Sequence, residues 1–130
     1  MKIKSILYIS LITLIISLIS CEGGTTFTKT IDNETAESIT IKLTTIYGSN
    51  EPVTIMSNES KEIFWDDQMG SFVDNSFTCT QMIDSVEITI TNSKTLTKDI
   101  MNPDNWIRES KDGRNSREDC AFTITDDDIQ

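Results

Sequence analysis

Apolar and polar residues alternate with a period of two in three places along the chain. Ile39, Ile41 and Leu43 alternate with Ser38, Thr40, Lys42 and Thr44; Val86, Ile88 and Ile90 alternate with Glu87, Thr89 and Thr91; Cys120, Phe122 and Ile124 alternate with Ala121, Thr123 and Thr125. Side chains on a strand point to opposite faces in turn, so this pattern predicts half-buried antiparallel strands with a threonine-rich outer face. Weaker strands are expected at 27–31, 53–56, 62–65, 72–73 running into 77–80, and 95–100. Ser57-Asn58-Glu59-Ser60 reads as a tight turn, and Asn92-Ser93-Lys94 as a hairpin joining 86–91 to 95–100. Pro103-Asp104-Asn105-Trp106 reads as one helical turn, with Asn102 before the proline held extended. Residues 109–119 carry only charged, polar and glycine side chains and read as a solvated loop.

Seven or eight short strands in about 100 residues predict an all-β fold. The expected architecture is a small antiparallel, immunoglobulin-like β-sandwich, with a small barrel as the rival. The expected core is Ile31, Ile39, Ile41, Leu43, Val53, Ile55, Ile63, Trp65, Phe77, Val86, Ile88, Ile90, Leu96, Phe122 and Ile124.

One segment does not fit this pattern. Lys2 and Lys4 precede an apolar run from Ile6 to Ile19 that ends in Leu18-Ile19-Ser20-Cys21, followed by Glu22-Gly23-Gly24. As a helix the run would span roughly 21 Å, short of a ~30 Å hydrocarbon core, so it reads as an export signal. An uncleaved membrane helix and a plain secretory peptide are the alternatives. Leu18-Ile19-Ser20-Cys21 resembles a bacterial lipobox. That resemblance implies cleavage after Ser20 and a diacylglycerol on the Cys21 thiol. The chain then divides into a signal-peptide helix at 1–20, a short tether at 21–26 and a single domain at 27–130. The membrane is the first expected partner, through the lipid on Cys21. The expected place is the cell envelope, at the outer membrane and on its periplasmic face rather than the surface.

Removing the leader changes the charge. The remaining chain holds 9 Lys and Arg against 21 Asp and Glu, a formal charge of −12 where the whole chain carries −10. Nucleic acid is thereby excluded as an expected partner, because neutralising phosphates needs a basic face. The chain has no histidine, so Ser-His-Asp, Cys-His and histidine–zinc chemistry are excluded. With Cys21 lipidated, Cys79 and Cys120 remain; in an oxidising compartment they are expected to form a disulfide, with two buried free thiols as the alternative.

Candidate chemistry is sparse. Asp66-Asp67 after Trp65 reads as a solvated turn, since a glycosidase needs two carboxylates lining one cleft. Asp126-Asp127-Asp128 lacks calcium-loop spacing and reads as a charged tail. No catalytic residue, metal site or cofactor is expected. Asp84-Ser85-Val86 is similar to an O-glycosylation pattern of some Gram-negative anaerobes, making Ser85 a candidate for modification. Trp106 and Ile107 are candidates for an exposed contact surface, or for a plug over one end of the sandwich.

Ile31-Asp32-Asn33-Glu34-Thr35, Asp84-Ser85-Val86-Glu87-Ile88-Thr89-Ile90 and Phe122-Thr123-Ile124-Thr125-Asp126-Asp127-Asp128 follow one another in the order seen in a known type. The chain resembles the short, uncharacterised lipoproteins of Gram-negative gut anaerobes. The resemblance implies a location and a fold but no activity. The expected function is that of a non-catalytic binding or accessory module engaging another envelope protein or a glycan. The alternative is an acidic inhibitor or immunity-type protein that neutralises a cationic enzyme or peptide.

Overall fold

The computed structural model describes residues 23–70 and 75–130. The segment expected to form a signal-peptide helix, Cys21 and Phe72–Val73 lie outside the described residues. Among the described residues eight strands form in chain order: β1 (Gly24–Asn33), β2 (Ile39–Thr45), β3 (Gly48–Ser49), β4 (Val53–Ile55), β5 (Glu59–Met69), β6 (Ile83–Ile90), β7 (Ile107–Lys111) and β8 (Ser116–Ile124). No α-helix occurs among the described residues; 3-10 turns form at Thr91–Ser93, Pro103–Asn105 and Asp126–Asp128. The chain is all-β, as expected, and its strands make two sheets.

The first sheet has the order β5-β1-β8-β7. Its centre is the pairing of β1 with β8, parallel over nine residues from Thr25↔Ser116 to Asn33↔Ile124, so this sheet is mixed and not antiparallel throughout as expected. In the second sheet β2 is central, with β6 along one edge and the short β3 and β4 sharing the other. One core lies between them. Ile39, Ile41, Leu43 and Ile55 from the second sheet and Phe27, Ile31, Ile63, Phe64, Phe122 and Ile124 from the first are all buried in it.

Three departures from the expected pattern have local causes. The first is on β5. Its pairing with β1 slips between Lys29 and Thr30, so that Ile63 is an extra residue with no opposite number. A β-bulge of this kind resets the alternation. Ile63 and Phe64 both point inward, and Trp65 turns outward and is 59% exposed. Trp65 is therefore not a core residue, and Asp66-Asp67 continue the strand instead of turning.

The second departure follows β6. Asn92 and Ser93 both have positive φ (59° and 57°), and this turn sends the chain away from the β6 edge. Thr95 and Thr97 then bond to the backbone of Gln130 and Asp128. The expected hairpin strand at 95–100 is thus replaced by an irregular segment with one bridge, Leu96 to Ile129. Ile129 is drawn into the core, so the acidic C-terminus is not a free tail.

The third is the stretch 109–119. It is a hairpin, with Asp112-Gly113 at the turn and Gly113 at φ 153°. Its inward residues are polar because they satisfy one another: Glu118, fully buried, takes two hydrogen bonds from the Arg108 guanidinium (2.8 and 2.9 Å) and one from Ser110 (2.6 Å).

Other expected turns are present. Asn58 sits at φ 57° between β4 and β5, and Pro103–Asn105 forms the single helical turn, capped by the side chain of Asn102. Strand β1 begins at Gly24, inside the stretch expected to be tether, and Thr25 is fully buried. No strand forms at 77–80.

Candidate functional site

The outward face of the four-stranded sheet is built by register. Thr28 of β1 lies opposite Trp65 on one side and Asp119 on the other, and Asp119 lies opposite Glu109. One row further on, Thr30 lies between Glu62 and Ala121, and Ala121 opposite Ile107. The two central strands thus present small side chains, and the edge strands present large ones. At ~4.8 Å per strand, three steps separate the flanks by roughly 14 Å. The result is an open groove of about 290 Å³ running along β1 and β8, with Asp32 at one end and Arg117 at the other.

Charge and shape in this groove are uneven. Asp32, Glu62, Glu109 and Asp119 line it, against the single cation Arg117. Thr28 donates its hydroxyl to Asp119, and Arg117 Nε donates to the same carboxylate at 2.7 Å. Ile107 lines one flank and is 63% exposed; Trp65, 59% exposed, stands on the opposite edge strand beside Thr28, one row away and outside the lining residues. Large apolar side chains held on a rigid sheet, rimmed by hydrogen-bonding groups, suit recognition of a ligand or partner. Among the described residues no group of His, Cys, Asp or Glu could hold a metal ion.

The inward face of the same sheet is a clamp. Cys79 and Cys120 form a disulfide (S–S 2.07 Å) that ties the β5–β6 connection to β8. Lys29 is fully buried; its ammonium donates to the Cys79 carbonyl (2.6 Å) and lies 5.4 and 5.5 Å from the ring centres of Phe64 and Phe77. Burial pushes the Lys29 ammonium down to about 8. Arg108 Nη1 donates to the Phe77 carbonyl (2.8 Å) and its guanidinium lies 5.2 Å from the Phe77 ring. For Glu118, burial raises the carboxyl, but the Arg108 and Ser110 hydrogen bonds and the Arg108 charge outweigh it and hold the group below its usual range.

The candidate residues scatter over this frame. Cys79 and Cys120 meet as expected. Ser85 is exposed on the outward side of β6. Trp106 is not part of a contact surface: it is buried, its indole N–H bonds to the Ile100 carbonyl (2.8 Å), and its ring lies 5.2 Å from Phe122. Its neighbour Ile107 faces the opposite way, into the groove. Asn33, in a formal N-glycan triplet, is 1% exposed; its side chain bonds to Thr35, Glu37, Ile55 and Met56.

Two sets of residues escaped the sequence reading. Lys29 shares a face with Phe27 and Ile31, and that spacing of two was the available signal of an inward lysine. Glu109, Arg117 and Asp119 were hidden because their segment reads as loop. No family model matches the chain, and no curated protein or solved structure matches it.

Proposed function

We propose that this chain is a lipid-anchored envelope lipoprotein that acts as a non-catalytic binding or accessory module. Cys21 carries the anchor at the outer membrane, and the outward groove of the four-stranded sheet engages another envelope protein or a glycan. The observation that carries this reading is that exposed Ile107 flanks a floor of Thr30 and Ala121, with exposed Trp65 one row away on the opposite edge strand. A large, rigid aromatic left in water on a sheet face gains most when a partner covers it. The domain is read as an immunoglobulin-like sandwich, supported by four- and three-strand-wide sheets over one core.

The test is a crosslinking pull-down from intact envelope with a photoreactive group at position 107. The wild-type chain captures a defined partner, and Ala121→Trp, which fills the groove floor, loses it. Capture of the same proteins by both chains sinks the groove reading. Failure to incorporate labelled palmitate sinks the anchor, and leaves the groove standing.

A second reading is favoured by the groove's four carboxylates. An acidic protein that neutralises a cationic enzyme or peptide would use them to steer its target, with an association rate falling steeply in salt. Inhibition of a cationic muramidase at low salt and not at high salt supports it; no inhibition at low salt removes it.

A further inference from the structure

The two sheets differ in width. Among the described residues the first is four strands wide, while the second offers three positions, ending at β6, which there pairs with β2 alone. Beyond β6 the segment 94–100 runs alongside without joining it, because Thr95 and Thr97 take their backbone bonds from the C-terminus. Between the two lies an open groove of about 480 Å³. Val86, Ile88 and Leu96 line it, all three only partly buried against the core, together with Lys94 and Lys98, whose charges are met by Glu37 (2.9 Å) and Asp128 (3.8 Å). Among the described residues the fourth strand position of the sheet is therefore open, with the aliphatic side chains of Val86 and Ile88 on the β6 side, the polar segment 94–99 on the other, and a strand edge beside it.

Register says what would fit. On β6, Val86 and Ile88 face inward opposite Leu43 and Ile41, while Ser85, Glu87 and Thr89 face outward. Glu87 is well exposed, with one ion pair to Lys42 at 3.8 Å. A strand laid against β6 would place apolar side chains in the groove and, on the other face, a residue beside Glu87. Opposite charges favour such a pair and like charges oppose it. A second copy of this chain would set acidic β6 against acidic β6, in a chain of net charge −10. We infer that the free edge of β6 accepts, by strand addition, an extended segment of another protein that alternates apolar with basic side chains.

The experiment uses the full chain in nanodiscs and a panel of capped heptapeptides alternating valine or leucine with lysine and threonine. Hydrogen exchange read by mass spectrometry locates the contact. The expected result is saturable binding that slows exchange within 83–90, weakened at least about threefold by Glu87→Lys and abolished by N-methylation of alternate peptide amides. Binding that survives N-methylation, protection confined to the outward face of the four-stranded sheet, or no saturable binding at millimolar peptide overturns the inference. So does protection, without peptide, of those amides in 83–90 that point away from β2, which would show that 94–100 closes the edge itself. Ala121→Trp leaves this binding unchanged, so the outcome is independent of the groove on the other sheet.

Discussion

The inner faces of the two sheets are held in opposite ways. The second sheet meets the core mainly with aliphatic side chains, Ile39, Ile41, Leu43 and Ile55, each no more than 2% exposed, with Thr45 the buried polar residue at the end of β2. The first sheet contributes apolar residues too, but near Phe77 it buries a lysine, an arginine–glutamate pair and a disulfide. Non-directional burial makes one side; geometry and charge make the other. The difference suggests that the aliphatic face supplies general stability, while the polar face fixes one position for the β5–β6 connection.

The comparison can be broken at four points, from the largest expected effect to the smallest. Replacing both Cys79 and Cys120 by serine opens a 41-residue separation and should cost ~4 kcal/mol on the chain-entropy model, read as a lower urea midpoint. Glu118→Ala leaves the Arg108 guanidinium facing the core without its carboxylate. It should cost about 3 kcal/mol, and acid unfolding of the wild type should share its origin. The Glu118 carboxyl is held low in the folded chain, so its contribution is complete above the usual carboxylate pKa and is lost as pH falls through the depressed value.

Lys29→Met should act in the opposite direction. The folded chain binds the Lys29 proton more weakly than the unfolded one, at about 8 against 10.5. Wild-type stability therefore carries the full cost of this ammonium below pH 8 and recovers some of it between 8 and 10.5. The substitution should raise stability by about 1–2 kcal/mol at pH 7, a gain that shrinks towards pH 10; a loss at pH 7 would show that the bond to the Cys79 carbonyl matters more than desolvation. On the aliphatic side, Ile41→Val should cost ~1 kcal/mol at every pH. A pH-dependent loss there would mean that the two faces are not separable.

The legibility of the chain followed the same division. Strands β2, β6 and the end of β8 were visible because their inward residues are apolar and spaced by two. Strand β7 and the start of β8 were not, because Arg108, Ser110, Ser116 and Glu118 are inward yet polar, and period two in polar residues looks like solvated loop. Trp65 was misplaced by a single-residue bulge, which no composition rule marks. The groove was half legible: Ile107 stood out, whereas its partners across the floor depend on which strands become neighbours.

The parallel ladder of β1 and β8 has a consequence for when the domain can assemble. It joins the first described strand to the last one over nine residues, so a chain still missing 116–124 has no partner for one edge of β1. Contacts this distant in sequence form slowly, since loop closure precedes any gain from pairing. A ribosome-bound chain therefore stays open, and completion waits for the C-terminal residues to emerge.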